Sequence, residues 1–450
     1  MHGKLTFTTK EYARSEHEIF PSMSTPGAKH LAVSPTPAVE SFLGFGVAIT
    51  PSSCYELNKM EPEARAELLH RIYGKDGMGL SVGRLCIGSS DYSPEMYSYD
   101  DVEGDVSLAH FSIERDEEYV IPIIKEILAI RPDLYLYASP WSPPYWMKTG
   151  GSMCGGFMRE EYLDCYADYI VKFLQAYAAH GIHISAVTPQ NEPGTQASCK
   201  MPACIWHPET EARFIGILKQ KFEQNGLDIK VWMLDHNFDE IDRVVWALGN
   251  CPDLRKNCDG VAFHYYLGTI EQTAIVRKLY PEQELHFTEG GPRLTERYDC
   301  DFCKWGLMVV KAIGNGYRSF TGWNLMLNEL GGPNIGPYIG LCGGFVTRNT
   351  RTGDLSYSGQ YKAFSHIVPL VTPASKLYYV CSDESFGPRM AQYPVNDKKI
   401  EGLLIDTPNA KKTVFLVNPN EYCAQVQIEV DGTLWYIELR ADSVATVELG

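Results

Sequence analysis

The stretch Ile184-Ser-Ala-Val-Thr-Pro-Gln-Asn-Glu192 decides the fold when it is set beside Leu285-His-Phe-Thr-Glu289. Each is a short apolar run typical of a buried strand, and each leads into a glutamate. Parallel α/β barrels carry their catalytic groups at the carboxyl ends of the strands. Two carboxylates that face one substrate bond are the minimal apparatus for cleaving a glycosidic bond. The two stretches together therefore predict a fold and a class of reaction.

The region around these stretches alternates apolar runs with helical patterns, which predicts parallel strands joined by crossover helices. Eight strands are the number that a closed barrel needs. The predicted strands are Leu43–Ile49, Val82–Ile87, Leu134–Ser139, Ile184–Thr188, Ile229–Leu234, Gly260–His264, Leu285–Thr288 and Arg318–Trp323. The predicted helices, from apolar residues at helical spacing, are Pro62–Tyr73, Val120–Ile130, Glu160–His180 and Glu209–Gln224.

The pattern changes after about residue 365, where short and often alternating runs are separated by turn residues. These runs predict the strands Lys376–Cys381, Glu401–Ile405, Thr413–Asn418, Ala424–Val430, Leu434–Leu439 and Ser443–Leu449. Alternation with turns about every ten residues is typical of an antiparallel sandwich. The N-terminal segment holds one plausible strand, Leu5–Thr9, and does not fit the barrel pattern. We predict a (β/α)8 TIM barrel over residues 40–365 and a discontinuous β-sandwich domain from residues 1–39 and 366–450.

Composition excludes several classes of protein. The chain has 450 residues and a formal net charge of −16, without a long basic run, which argues against nucleic acid or an anionic membrane as partner. No stretch reaches the ~18 apolar residues of a membrane helix. The 13 cysteines are scattered, and Cys300-Asp-Phe-Cys303 has no second pair at zinc spacing. We expect no metal, no organic cofactor and a reduced, cytoplasmic protein, or a secreted one if a signal sequence has been removed.

Each glutamate has a context that suits one role. Taken singly, a glutamate after a strand is explained more readily as a surface charge or a helix N-terminal charge than as a catalytic group. Asn191 beside Glu192 offers an amide to the 2-hydroxyl of a sugar. A general acid at this position must hold its proton at neutral pH, which requires a pKa raised by burial or by a nearby like charge. Glu289 precedes Gly290-Gly291, where backbone and ligand can approach closely, and can act as a nucleophile.

Aromatic residues cluster at the same predicted strand ends, where their faces complement the apolar C–H faces of a sugar ring. A lone tryptophan is usually part of a core, but three clusters at one edge of a barrel favour a sugar site. Asp91 after the second strand is expected to accept bonds from sugar hydroxyls, and Asp235 after the fifth to orient other groups. The candidate binding residues are Asp91, Trp141, Asn191, His264, Tyr266 and Trp323.

These motifs, in their order from about residue 40 to 340, resemble those of glycoside hydrolase family 30, the glucosylceramidase-like family. The matching stretches are Phe42-Leu-Gly-Phe-Gly-Val-Ala48, Arg84 with Ser89-Ser-Asp-Tyr92, Ser139-Pro-Trp-Ser-Pro-Pro-Tyr-Trp146, Thr188-Pro-Gln-Asn-Glu-Pro193, His264-Tyr-Tyr266, Thr288-Glu-Gly290 and Trp323-Asn324. The resemblance implies a retaining mechanism with Glu192 as acid/base and Glu289 as nucleophile. It also implies that Asp91, Trp141, Asn191 and Trp323 line the subsite of the cleaved sugar, with Tyr266 near the nucleophile.

The segment that follows the acid/base, 199–209, resembles the glucosylceramidase branch of the family more than the xylanase branch. The expected activity is therefore that of an exo-acting β-glucosidase of the glucosylceramidase type, with a β-linked glycoside or oligosaccharide as substrate and a place in sphingolipid metabolism. An endo-β-1,6-glucanase or a β-xylosidase on the same scaffold is the enzymatic alternative. A non-catalytic carbohydrate-binding protein is the alternative of another class. The sequence leaves the preferred sugar, the aglycone and the oligomeric state open.

Overall fold

The structure, a computed structural model, describes residues 2–10, 14–195, 200–382 and 398–450. Residue 199, the first of the segment compared with the glucosylceramidase branch, lies outside these ranges. The chain divides into two compact units. The sheet unit comprises Met1–Gly44, Glu296–Arg318 and Tyr357–Gly450, and the barrel unit comprises Phe45–Thr295 and Ser319–Ser356.

Twenty strands are assigned over the described ranges. They are β1 Gly3–Thr9, β2 Ser15–Ile19, β3 Lys29–Val33, β4 Gly44–Ala48, β5 Val82–Ile87, β6 Tyr135–Pro140, β7 Ile184–Val187, β8 Lys230–Asn237, β9 Gly260–His264, β10 Glu284–Glu289, β11 Tyr317–Gly322, β12 Met326–Asn328, β13 Val346–Arg348, β14 Leu355–Tyr357, β15 Lys376–Ser382, β16 Glu401–Asp406, β17 Thr413–Asn418, β18 Ala424–Val430, β19 Thr433–Leu439 and β20 Ser443–Glu448.

Ten α-helices accompany them. They are α1 Pro51–Asn58, α2 Pro62–Tyr73, α3 Glu114–Ile130, α4 Leu163–Ala179, α5 Pro208–Gln224, α6 Ile241–Asn250, α7 Leu254–Asn257, α8 Ala274–Leu279, α9 Phe302–Gly314 and α10 Gly359–Ile367. The four predicted helices correspond to α2, α3, α4 and α5. Helix α3 begins six residues earlier than predicted, because the residues Glu114–Glu118 are all charged and do not extend the apolar pattern.

Strands β4 to β11 close into a barrel in the order β10-β11-β4-β5-β6-β7-β8-β9, which confirms the predicted fold class. The hydrogen-bonded neighbours from β4 to β10 run parallel. Strand β5 is buried at all six positions, as expected for a strand covered on both faces. The carboxyl ends of all eight strands therefore meet at one rim of the barrel.

Two irregularities in the barrel bear on this rim. The register of β8 against β9 shifts between Leu234 and His236, and that of β10 against β9 shifts between Phe287 and Glu289. Leu234 and Asp235 have φ angles of +73° and +53°. A bulky residue such as leucine rarely adopts such a φ. The local strain, characteristic of functional positions, turns the Asp235 side chain inward at the end of β8.

The nine remaining long strands form one sheet in the order β19-β18-β3-β15-β16-β17-β20-β1-β2, built from both chain ends. Its pairs are antiparallel with one exception, because β3 runs parallel to β18. An isolated bridge from Pro21 to Trp435 brings the two edges of the sheet together around an apolar core. The sequence analysis did not predict β2, whose Ser-Glu-His-Glu-Ile sequence is mostly exposed, or the short β3.

The boundaries predicted for the two domains stay a prediction. In the structure, the segment Glu296–Arg318, which contains α9, and all of α10 group with the sheet unit. A Cβ at Gly306 of α9 would approach Val417 and Val444 to about 3 Å, so this helix lies directly on the sheet. Among the described residues, no helix combines the length and the apolar character needed to cross a membrane.

Candidate active site

Seven of the eight predicted site residues line one cavity of about 470 Å³ at the carboxyl rim of the barrel. They are Asp91, Trp141, Asn191, Glu192, Tyr266, Glu289 and Trp323. The eighth, His264, was predicted to bind substrate. It lies beneath the cavity wall with no exposed surface, and both of its ring nitrogens contact carboxylates. The structure thus gives His264 contacts with other site residues rather than a face toward a ligand.

Glu289 ends β10 and is held by three side chains. The Tyr266 hydroxyl donates to Oε1 over 2.9 Å, and Arg84 forms an ion pair with Oε2. His264 Nε2 lies 3.8 Å from the same Oε2. These contacts fix the carboxylate in one orientation, as an attacking nucleophile requires.

Glu192 follows β7 in a left-handed backbone conformation, with φ at +50°. Its amide donates to the carbonyl oxygen of Asp235 over 2.9 Å, which ties this turn to the bulge of β8. His264 Nδ1 lies 3.1 Å from its Oε1, and the Thr195 hydroxyl donates to its Oε2 over 3.2 Å. One carboxylate oxygen of Glu192 and one of Glu289 lie within 4.8 Å of each other.

Asp235 is a fully buried anion beneath the two glutamates, and five side chains direct polar atoms at its two oxygens. On Oδ2 these are Arg84 at 2.8 Å, Thr188 at 2.8 Å and Ser139 at 2.7 Å, and on Oδ1 they are His264 at 3.0 Å and Thr288 at 2.7 Å. A carboxylate with this many partners stays ionised, and its pKa lies well below the usual range: the donors and the Arg84 charge outweigh the opposing effect of burial.

Glu211 of α5 stabilises the strained backbone that positions Asp235. The Leu234 amide donates to Oε1 of Glu211 over 2.8 Å, so the bulge leaves no buried donor unpaired at this point. Arg243 pairs with the other oxygen of Glu211 at 2.7 Å. Glu211 therefore acts on the site through the backbone of β8.

Arg84 is the second hub of the site and is fully buried. Its Nη2 donates to Oδ1 of Asn191 over 2.7 Å, in addition to its pairs with Asp235 and Glu289. Because the amide oxygen of Asn191 accepts this bond, its NH2 group is the end left for a ligand. The guanidinium also lies 4.8 Å from the Trp141 ring and 5.4 Å from the Trp323 ring. These two rings stack at 5.4 Å and form an aromatic wall of the cavity.

The protonation of Glu192 differs from the sequence-based expectation. Burial would raise the pKa of this carboxyl, but the hydrogen bond from His264 and the positive charge of that ring, with a contribution from His236 only when His236 is protonated, lower it to about 2. The pKa of His264 moves in the opposite direction. Burial would lower it, and the Glu289 charge together with the contacts to Asp235 and Glu192 raises it to about 9. In the free protein the proton near Glu192 therefore rests on His264.

Asp91 also lines the cavity. Burial and the charges of Glu289 and Glu192 raise the pKa of its carboxyl well above the ordinary value. An acid that keeps its proton can donate as well as accept a hydrogen bond, which suits a sugar hydroxyl. The same cavity is also lined by Thr195, His236, Leu267, Arg293 and Tyr338.

Over the described parts of the chain, one group of side chains is close enough to share a metal ion: Glu192, His264 and Glu289, with atoms within 4.8 Å. The contacts of these atoms argue against that use. Both nitrogens of His264 face carboxylates, and Arg84 already neutralises Glu289. The group is better described as a hydrogen-bonded cluster of alternating charges.

Four residues of the site, Arg84, Thr195, Glu211 and Arg293, have contacts or positions that the sequence did not predict. Arg84 had a visible signal, because it is a lone charge inside the apolar run Val82–Ile87 of a barrel strand. A buried charge of this kind needs partners, which here are the residues of the site. Glu211 lies on a helix and carried no comparable signal.

Comparison with known proteins places this geometry in a family. The sequence profile described as "Glycosyl hydrolase family 30 TIM-barrel domain" matches residues 42–339. The lysosomal acid glucosylceramidase of Mus musculus is 29% identical over 330 residues, which is 68% of this chain and 63% of the relative. The chain spans 60 to 63% of the length of this mouse protein and of two relatives from Caenorhabditis elegans.

Two solved structures cover nearly the whole chain. SrfJ from Salmonella typhimurium has a TM-score of 0.88 and 26% identity, and the match covers 100% of this chain and 99% of that one. An endo-beta1,6-glucanase has a TM-score of 0.84 and 26% identity, and 99% of each chain is covered.

Proposed function

The chain belongs to glycosyl hydrolase family 30, and on that premise we propose that it is a retaining β-glycoside hydrolase with Glu289 as nucleophile and Glu192 as acid/base. The observation that carries the proposal is the separation of the two carboxylates, with one oxygen of each within 4.8 Å. Carboxyl groups about 5–5.5 Å apart characterise retaining enzymes, and about 6.5–9.5 Å leaves room for the water of an inverting enzyme.

The partners of each carboxylate support the assignment of roles. Arg84 and Tyr266 orient Glu289 in the cavity, where it attacks the anomeric carbon and forms a glycosyl-enzyme intermediate. Glu192 protonates the leaving oxygen and later removes a proton from the attacking water. The Asn191 amide, oriented by Arg84, donates to a hydroxyl of the sugar next to the bond that breaks.

For the substrate, we propose a terminal β-linked glucose on an aglycone with an apolar part, as in glucosylceramide. The support is the relative named glucosylceramidase and the exposed apolar side chains at the cavity mouth. Leu267 and Tyr338 line the cavity and are 59% and 44% exposed, and the adjacent Ile339 is 69% exposed. Apolar groups held in water at the mouth of a site are suited to contact with hydrocarbon.

A second candidate is hydrolysis inside a β-1,6-glucan chain. The specific observation in its favour is the match over 99% of the chain to the endo-beta1,6-glucanase structure. The charged side chains of Asp239, Glu240 and Arg293 also line the cavity and suit the hydroxyls of a second sugar.

The two candidates are separated by three substrates: glucosylceramide in detergent micelles, β-1,6-linked gluco-oligosaccharides and an aryl β-glucoside. Our proposal predicts glucose as the first product from all three and the highest kcat/KM on the glycolipid. Release of internal oligosaccharides, with little turnover of the glycolipid, would favour the glucanase. Turnover of none of the three would contradict the glucosidase assignment, and so would turnover of an aryl β-xyloside, assayed beside them, without turnover of the aryl β-glucoside.

Substitution of the rim tests the apolar aglycone directly. Leu267→Ser combined with Ile339→Ser should lower kcat/KM on the glycolipid about tenfold or more, since each loses an apolar side chain worth up to about 1.5–3 kcal/mol when fully buried. Activity on the aryl glucoside should hold. Leu279→Ser is the matched control, because Leu279 is 48% exposed on α8 and is not among the residues of the cavity.

A further inference from the structure

His264 occupies an unusual position between the two glutamates. It ends β9, has no exposed surface, and its two ring nitrogens lie 3.1 Å from Glu192 and 3.0 Å from Asp235. Its Nε2 is also 3.8 Å from Glu289. A fully buried imidazole that meets three carboxylates has more acceptors around it than a neutral ring can satisfy, since a neutral ring carries one N–H.

The charges that face His264 come from several barrel strands. Glu192 follows β7, Asp235 lies in β8 and Glu289 ends β10, while the Arg84 cation of β5 reaches Asp235 and Glu289. The rings of His236 and Tyr266 lie 6.3 Å and 6.2 Å away. Burial lowers the pKa of His236, so that ring is the neutral neighbour. With His264 protonated, the cluster of three anions and two cations carries a single net negative charge.

On the basis of the function proposed above, we propose that His264 is a positioning residue for Glu192 that holds the proton for general acid catalysis. His264 releases this proton to Glu192 when Glu289 loses its negative charge by bonding to the sugar. The contact through which it acts is the one between its Nδ1 and Oε1 of Glu192.

The proton balance of the first step is as follows. As an oxygen of Glu289 bonds to the anomeric carbon, the Nδ1 proton of His264 moves to Glu192 and from there to the departing oxygen. The bond between the anomeric carbon and that oxygen breaks with its electron pair. His264 is left neutral, with its Nε2 proton directed at Asp235, and Glu192 is again a carboxylate. Glu289 has become an uncharged ester, so the net charge of the cluster is unchanged.

The second step reverses this movement. Glu192 takes a proton from water as the water oxygen bonds to the anomeric carbon, and the ester bond to Glu289 breaks. Glu289 recovers its negative charge, and the proton returns from Glu192 to Nδ1 of His264. The coupling is electrostatic, because the Glu289 charge is the largest of the effects that raise the pKa of His264 to about 9 against the opposing effect of burial.

The test compares hydrogen positions in the free protein and in the protein trapped with a 2-deoxy-2-fluoro-β-glucosyl fluoride. A neutron structure at pD of about 7.5, between the ordinary histidine pKa of about 6.5 and the raised one, reports deuterium at each ring nitrogen. We expect deuterium on both nitrogens of His264 in the free protein and on Nε2 alone in the trapped one. The same occupancy in both states would overturn the proposal.

The two proposals fail in different ways in this experiment. The mass of the trapped protein and the position of its label report the nucleophile, whereas the deuterium pattern reports His264. A label on Glu289 with an unchanged deuterium pattern on His264 therefore overturns the proton-storing role of His264 and leaves the proposed function intact. If no label forms, the proposed function fails, and the role proposed for His264 fails with it.

A variant gives a kinetic test. Because Gln can hydrogen-bond but cannot carry the proton, His264→Gln should slow cleavage of an alkyl β-glucoside about tenfold or more beyond its effect on a 2,4-dinitrophenyl β-glucoside, which needs no acid. The alkaline limb of its kcat/KM profile should move at least one pH unit toward acid. Equal losses on both substrates, with an unmoved pH profile, would indicate a structural role. If the variant does not fold, the neutron comparison decides alone.

Discussion

Removal of the Tyr266 hydroxyl is the perturbation whose effect can be worked most closely from the structure. This hydroxyl donates to Oε1 of Glu289 over 2.9 Å. The bond stabilises a negative carboxylate and therefore matters in the step that regenerates the charge, the hydrolysis of the glycosyl-enzyme. In the first step Glu289 loses its charge, and the same bond contributes little to the rate.

A hydrogen bond to a charged group contributes about 1.5–3 kcal/mol. At about 1.36 kcal/mol per factor of ten, Tyr266→Phe should slow hydrolysis of the intermediate roughly 10- to 150-fold. The assay is pre-steady-state release of dinitrophenol from its β-glucoside. We expect a full burst followed by slow turnover, with kcat and KM lowered in parallel and kcat/KM changed far less.

Tyr265→Phe is the matched control, since the neighbouring hydroxyl donates to the carbonyl oxygen of Gly291 over 3.3 Å and not to Glu289. It should keep the kcat of the unsubstituted protein. A Tyr266→Phe protein with unchanged kcat would refute the reasoning. A loss confined to kcat/KM, without a burst, would also refute it, because such a loss would mean that the hydrogen bond affects the rate of forming the glycosyl-enzyme.

Three further predictions concern the nucleophile, the bulge of β8 and the stored proton. Glu289→Ala should abolish turnover of aryl β-glucosides. Added azide should restore turnover and give the glycosyl azide of inverted configuration, which NMR detects. Undiminished activity of the variant without azide would mean that another residue is the nucleophile. Glu211→Gln should lower the free energy of unfolding in urea by about 3–5 kcal/mol by leaving the Arg243 cation unpaired, whereas Arg213→Gln, at an exposed pair on the same helix, should cost less than about 1 kcal/mol. Because the pKa of His264 is raised from 6.5 to about 9, its contribution to stability is complete below pH 6.5 and declines as pH rises through about 9. Between pH 6.5 and 8, a range that stays below the lowered pKa of Lys148 at about 8, the free energy of unfolding by heat or urea should fall by on the order of 2 kcal/mol. The His264→Gln protein should not show this fall, and parallel pH profiles of the two proteins would contradict the prediction.

The sequence predicted the parts of the fold that follow from local patterns. Glu192 and Glu289 end runs of apolar residues, and the strand ends of a parallel barrel meet at one rim, so their proximity could be inferred. Strand β2 could not, because its charged residues face solvent at the edge of the sheet. The parallel pairing of β3 with β18 joins segments about 400 residues apart, which no local pattern records.

The protonation of the site residues could not be predicted from the sequence either. Burial alone suggested a raised pKa for Glu192, yet His264, which is 72 residues away in the chain, reverses the direction. The inward turn of Asp235 depends on a bulge whose amide is paired by Glu211 of a different element. In each case the decisive contact joins separate strands or helices, and its effect depends on distances that only the folded chain defines.

The central claim is that Glu289 attacks the sugar while Glu192 moves the proton. The most direct test is to inactivate the protein with a 2-deoxy-2-fluoro-β-glucosyl fluoride and to locate the label by mass spectrometry of its peptides. We expect one fluoroglucosyl group per chain, attached to Glu289. A label on another residue, or hydrolysis of the reagent without any covalent intermediate, would contradict it.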